Sequence, residues 1–330
     1  MITEGYLARH CQGRRGGRGP AIIDIAQDHL LYLLTSGGFF DLGVALKGGT
    51  AIRKFWAGNA GRFSTDLDFA GVDDESAELL VDMVDRAQVG QFRFSLTPID
   101  GTRRMRLDIS SPFGEADVPA RLDLGRRSLW LGRRGLWLPP RRMAMVAMSI
   151  HQRYEFAVPE LPTSAVEEII AEKLARLRRD SLVRDLYDLV WFASRAFDES
   201  LVRGLLVLKV WTDVVDDGLG EAPFDPEQVL RSRHPNEFRP EAIGYLTTPV
   251  DIPGWIATVR ERYKFLHDLD SDEQRLARCS KADDWGALGP HPGLHVPRTL
   301  GVPPPRRRSG RRRRGRRRRR GGRPRHPYPR

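Results

Sequence analysis

The sequence predicts an α+β protein: a sheet flanked by helices through the first half, then a mostly helical C-terminal domain. Between residues 44 and 124, short apolar runs alternate with period two, the spacing of half-buried strands. Beyond residue 163, apolar residues recur every three or four positions, as on helices packed by one face. A third observation places the chemistry. A Gly48-Gly49 corner is followed by Asp66 and Asp68 within one apolar run.

Composition narrows the function classes. With 330 residues, 40% of them hydrophobic, the chain is long enough for two domains with their own cores. No apolar run reaches the roughly 18 residues of a membrane span, so no membrane association is expected. No signal peptide is expected either. Cys11 and Cys279 are too few and too far apart for a disulfide framework or a zinc cluster, which fits a reducing cytoplasm. The net charge of +11 misleads. Residues 306–330 hold fifteen arginines and no acid, and without those charges residues 1–305 stand at −4. Any basic surface on the folded part must therefore be local.

Taken in order, residues 1–20 are rich in Arg and Gly and read as a flexible arm. Residues 21–36 read as a helix (Ile22, Ile25, Leu30, Leu33) stopped at Gly37-Gly38. Val44 to Leu46 is an apolar strand running into the glycine corner, and Ile52, Phe55 and Trp56 form the apolar face of the helix after it. Glycines let a backbone approach a phosphate, and a helix start offers free N–H groups to it. In the next strand, Ser64, Asp66 and Asp68 share one face and Thr65, Leu67 and Phe69 the other. Two carboxylates on one strand face, with substrate phosphates, suit Mg²⁺. A second helix spans 75–88, and strands follow at Phe92 to Ile99, Arg104 to Ser110 and Ala120 to Leu124. A dense basic-aromatic stretch runs from Arg126 to Arg142 with Trp130 and Trp137, residue types that grip phosphates and stack on bases. Ser164 to Glu167 fits a capping box opening a helix in which Lys173 falls in or beside the apolar stripe. A lysine there needs a partner for its ammonium, and a triphosphate is one candidate. Arg184 to Leu189 is expected to open another helix, and further helices are expected at Leu201 to Val215 and Trp255 to Leu269. The Gly-, Pro- and Arg-rich residues 286–330 cannot bury a core and are expected to be a disordered tail able to bind RNA by charge. No P-loop is present, because Lys47 precedes its glycines.

The block Leu46-Lys47-Gly48-Gly49-Thr50 followed by Arg62-Phe63-Ser64-Thr65-Asp66-Leu67-Asp68-Phe69 resembles the AbiEii/AbiGii toxins, and so does Ala171-Glu172-Lys173-Leu174 followed by Arg184-Asp185-Leu186-Tyr187-Asp188. These are the nucleotidyltransferase toxins of type IV toxin–antitoxin and phage-abortive systems, built on the DNA polymerase β-like fold. The resemblance covers residues 1 to 270 and implies the mixed sheet of that nucleotidyltransferase fold. It divides the chain into a nucleotidyltransferase domain at 21–140 and a helical domain at 141–285. It further implies a Mg²⁺-dependent transfer of a nucleoside monophosphate from an NTP to an acceptor, RNA or the 3′ end of tRNA, with growth arrest as the effect and a cognate antitoxin encoded nearby. Asp66 and Asp68 are the implied metal ligands, with Asp123, or else Asp108, as a third carboxylate. Asp66, Asp68, Lys173, Asp185 and Asp188 are the implied catalytic residues. Gly48, Gly49, Thr50, Arg62, Ser64 and Lys173 are the implied nucleotide contacts, and Gln27 matches a glutamine common in the family. A small-molecule or protein acceptor, or a non-catalytic nucleotide- or RNA-binding regulator, remain the alternatives.

Overall fold

In the computed structural model the residues described are 1–278 without 12–16, 102, 115, 117–118, 127–137, 216–217, 220–223 and 239–248. The elements run α1 (Glu4–Cys11), α2 (Arg18–Ser36), β1 (Ala45–Lys47), α3 (Gly48–Ala51), β2 (Asp66–Val72), α4 (Asp74–Val84), β3 (Gln88–Val89), β4 (Phe92–Asp100), β5 (Arg104–Ser110), β6 (Ala120–Arg126), β7 (Arg141–Ala144) and β8 (Glu160–Thr163). Six helices follow: α5 (Val166–Arg179), α6 (Val183–Ala193), α7 (Glu199–Val215), α8 (Glu227–Leu230), α9 (Ile252–Arg262) and α10 (Ser271–Ala277). The strands form one mixed eight-stranded sheet in the order β3-β4-β5-β6-β2-β1-β8-β7. β2 lies near its middle, parallel to β6 and antiparallel to β1.

The period-two reading of the strands holds closely. β5 has the expected bounds, and it alternates buried Met105, Leu107 and Ile109 with outward Arg104, Arg106 and Asp108. Leu67 and Phe69 on β2, Leu122 on β6, and Phe92 and Phe94 on β4 join those residues in a single core with α2 and α4. α2 is more deeply set than an amphipathic surface helix. Every residue from Gly19 to Leu31 is buried, the polar ones included, so its charges must be met inside the protein.

Several expectations change. Within the presumed arm, Glu4–Cys11 is a helix whose Leu7 and His10 are buried against the core. α4 stops at Val84 rather than at 88, because Asp85 turns extended and Arg86 takes a left-handed conformation (φ 62°) into β3. A boundary at residue 140 does not separate a sheet from helices, since β7 and β8 complete the sheet and the described residues lie in one compact unit. Ser164 does not cap α5: Ala165 is the N-cap, and the Ser164 N–H is drawn to the Leu46 carbonyl at 3.1 Å as the sheet continues. The last expected helix breaks after Arg262 into a 3₁₀ turn, Lys264–His267. The basic-aromatic stretch falls largely at 127–137, and the tail at 286–330 wholly, outside the described residues. No helix among the described residues is long and apolar enough to cross a membrane.

Candidate active site

Strand register builds the site. Asp66 sits opposite Arg121 and Asp68 opposite Asp123 across the parallel β2–β6 pair. Lys47 lies opposite Asp68 on the other side. On β5, Arg104 faces Asp123 and Arg106 faces Arg121. Two rows therefore cross one face of the sheet: Lys47–Asp68–Asp123–Arg104, and Asp66–Arg121–Arg106. Beneath Asp66 and Asp68, Leu67 and Phe69 anchor the strand in the core.

This face opens into a cleft of about 560 Å³. Gly48, Gly49, Arg62, Ser64, Asp66, Asp68, Asp123 and Lys173 line it together, and Arg104, Arg121, Arg176, Arg179 and Arg184 add positive charge around them. Burial raises the Asp66 carboxyl above the ordinary carboxylate range, against the pull of Arg184 and Arg121. Burial likewise raises Asp68, against Lys47. Both acids are thus charges held at a cost, the usual condition of groups kept for a cation.

The glycine corner is dictated by close approach. Gly48 has φ 75°, and a Cβ there would strike the Asp68 carboxylate. A Cβ on Gly49 would strike the Arg62 guanidinium and the Ser64 hydroxyl. Gly48→Ala should leave a folded protein with nucleotide-dependent activity down about 10²-fold, the loss expected when a reacting group moves by about an ångström. Wild-type turnover in that variant would show that Asp68 does not need its present position.

The helix side of the cleft carries most of the salt bridges. Arg62 grips Asp188 through Nε (2.9 Å) and Nη2 (2.8 Å). Lys173 Nζ lies 2.5 Å from Asp185 and 3.0 Å from Asp188. Arg176 approaches Asp185 at 3.6 Å. Burial would raise Asp188, but Arg62 and Lys173 hold its carboxyl below the usual range. Lys47 pairs with Glu172 at 2.7 Å and so fixes α5 to the sheet beside Asp68.

Some expected site residues sit elsewhere than in the cleft lining. Thr50 is fully buried, and its hydroxyl donates to the Asp66 carbonyl, steadying the start of β2. Asp185 and Asp188 sit behind Lys173 rather than in the cleft wall. Asp108 lies farther out on β5, paired with Arg106, while Asp123 is in the lining. Asp123 is tied to Arg104 at 2.8 Å, and the described residues bring no three His, Cys, Asp or Glu side chains together around one ion position. The acidic pair still suits Mg²⁺, which takes one or two carboxylates and fills its shell from phosphates and water. Gln27 is wholly buried and donates to the Ser64 carbonyl at 3.0 Å, so it supports the site from behind.

Beneath the corner lies an ionic cluster the sequence reading missed. Ile52–Ala57 forms a single π-helical turn, a rare form that often sits next to functional sites. It turns Arg53 and Lys54 inward onto Asp24 of α2, at 2.9 and 2.8 Å, with His10 on the same carboxylate at 2.7 Å. Lys54 also meets Asp28 at 2.7 Å, and Tyr154 donates to Asp28 at 2.6 Å. Arg53 further donates to the Gly58 carbonyl, fastening the loop that leads to Ser64. The only signal in the sequence was two adjacent cations inside an apolar segment.

Comparison with known proteins gives the family and the fold. Residues 30–282 match the family model described as nucleotidyl transferase AbiEii toxin, type IV toxin–antitoxin system. The chain is 45% identical to MenT4, a nucleotidyltransferase toxin from Mycobacterium tuberculosis, over 87% of this chain and 98% of that one, with a TM-score of 0.80. JHP933 from Helicobacter pylori is 14% identical with a TM-score of 0.41, covering 74% of this chain and 92% of that one. No curated protein matches.

Proposed function

Because the chain belongs to the AbiEii family of type IV toxin–antitoxin nucleotidyltransferases, we propose that it is a Mg²⁺-dependent enzyme that moves a nucleoside monophosphate from an NTP onto RNA, with the 3′ end of tRNA as the acceptor. A cognate antitoxin restrains it in the cytoplasm, and its unrestrained action arrests growth. The observation that carries this reading is the pairing of Asp66 and Asp68 on one sheet face, above the Gly48-Gly49 corner, in a cleft rimmed by arginines.

Asp66 and Asp68 would hold the metal, which when bound supplies positive charge against the triphosphate. Gly48 and Gly49 present backbone N–H groups to the phosphates, and Ser64 presents its hydroxyl. Arg121 and Arg184 flank Asp66 and meet the negative charge that spreads over the transferring phosphoryl group. Lys173 and Arg62 act through Asp188, locking the corner against α5 and α6. An acceptor hydroxyl then forms its bond to the α-phosphorus as the bond to pyrophosphate breaks. Fixed geometry and fixed charge supply most of the acceleration.

The test is to incubate the protein with Mg²⁺, each labelled NTP in turn, and total RNA. Label on RNA is the expected result, and label on protein or small molecules alone would move the acceptor to another class. A pH dependence follows as well. With both carboxyls raised, protons compete with the cation above the ordinary carboxylate range. The acid limb of the rate profile should therefore lie above that range and shift to lower pH as Mg²⁺ increases. An acid limb indifferent to Mg²⁺ would contradict the assigned ligands.

A further inference from the structure

On the face of the sheet that carries Asp66 and Asp68, α5 meets β1 where Lys47 pairs with Glu172, and α6 meets β2 where Arg184 lies 3.8 Å from Asp66. From β6 outward it is uncovered: Arg121, Arg104, Arg106, Arg93 and Ser95 are exposed, while the residues between them are buried on the other face. Directly opposed like charges on neighbouring strands destabilise a sheet, because the side chains stand about 5 Å apart. This face has two such pairs. One is Asp68 with Asp123, flanked by Lys47 on one side and by Arg104 on the other. The other is Arg106 with Arg121. Arg106 has Asp108 at 3.0 Å, and Arg121 stands opposite Asp66, whose carboxyl feels its charge without a direct ion pair. With Asp66 given over to the metal ion, the charge of Arg121 beside Arg106 is left for an anion to meet. Arg121 also lines the cleft, whereas Arg106 and Arg93 lie beyond it, so the positive row leads out of the site rather than into it.

We propose that the open face of β4, β5 and β6 is the track on which the acceptor's sugar–phosphate backbone lies, with successive phosphates over Arg121 and Arg106 and the terminal hydroxyl reaching Asp66. The proposal rests on the reading that the acceptor is RNA. It adds where that RNA sits and which guanidiniums hold it. A flat face of exposed guanidiniums and hydroxyls suits a flexible strand with regularly spaced charges, since arginine binds phosphate oxygens two at a time. It is also a local basic surface of the kind that a net charge of −4 over residues 1–305 requires.

The test uses the full chain without nucleotide or metal, so its outcome does not depend on the transfer chemistry. The probe is a fluorescein-labelled RNA hairpin with a short single-stranded 3′ end, titrated by anisotropy across a range of salt. The fifteen arginines of residues 306–330 contribute equally to every variant, so differences report the sheet face. In Arg106→Gln/Arg121→Gln, the slope of log affinity against log salt should fall by about 1.4, the loss expected for two phosphate contacts on a single strand. Arg142→Gln, on β7 at the opposite edge of the sheet, should keep the wild-type slope. Amide exchange in β4–β6 should slow when the hairpin binds the wild type. An unchanged slope, or protection confined to other segments, would overturn the proposal. So would a double variant that keeps RNA affinity but loses binding to a poly-glutamate peptide, which would make the face a protein-docking surface. A single cooperative melting transition in the double variant confirms that it folds.

Discussion

Asp66→Asn and Asp68→Asn should each lose nucleotidyl transfer by about 10³-fold or more while remaining folded. The size follows from what a metal at such a site supplies, several kcal/mol of transition-state charge stabilisation, at about 1.4 kcal/mol per tenfold in rate. The sign of the accompanying stability change separates this from simple unfolding. A carboxyl whose folded pKa is raised weakens the native state at every pH above that value, because the chain prefers to unfold and ionise in water. Removing the charge should then leave the metal-free melting temperature unchanged or higher. Kinetics and thermal denaturation on the same preparations decide the matter. A variant that loses activity only in proportion to its loss of folded protein would remove both acids from the chemistry.

Asp24→Ala should produce the largest loss of stability. It strips Arg53 and Lys54 of a shared carboxylate in a place without solvent, and breaking a buried pair from one side costs about 3–5 kcal/mol. In a chain of this size that corresponds to a fall of roughly 10 °C in melting temperature. Burial would raise Asp24, but Arg53, Lys54 and His10 hold it well below its ordinary 3.8. Its contribution is therefore complete above that value and drains away as pH falls through the lower folded value. Asp24→Ala combined with Lys54→Met should recover part of the loss, because one stranded charge goes with the acid. Equal melting temperatures for Asp24→Ala and wild type at neutral pH would show that the cluster contributes nothing.

Much of this could be read before any coordinates, and the reasons are local. Asp66 and Asp68 share a face because a strand alternates, and the glycines ahead of them fix the corner. β5 showed itself through strict alternation from Arg104 to Ser110. What stayed hidden depends on residues far apart in the chain. Lys173 invited a phosphate partner, yet its ammonium rests on Asp185 and Asp188, twelve and fifteen positions later. The resemblance implied that Thr50 contacts nucleotide, but its hydroxyl donates to the backbone carbonyl of Asp66. Arg121 gave one faint signal, its place two residues before Asp123, and its meaning emerged only when β6 was laid beside β2 and β5.

The grip of Arg62 on Asp188 has one more consequence. It rivets the loop after the glycine corner to α6, while Lys173 fastens α5 to the same carboxylate. Two walls of the pocket thus share a bolt, so their spacing is set by the fold itself. Cutting that bolt, rather than removing any group that touches substrate, would let the glycine corner and the helices drift apart.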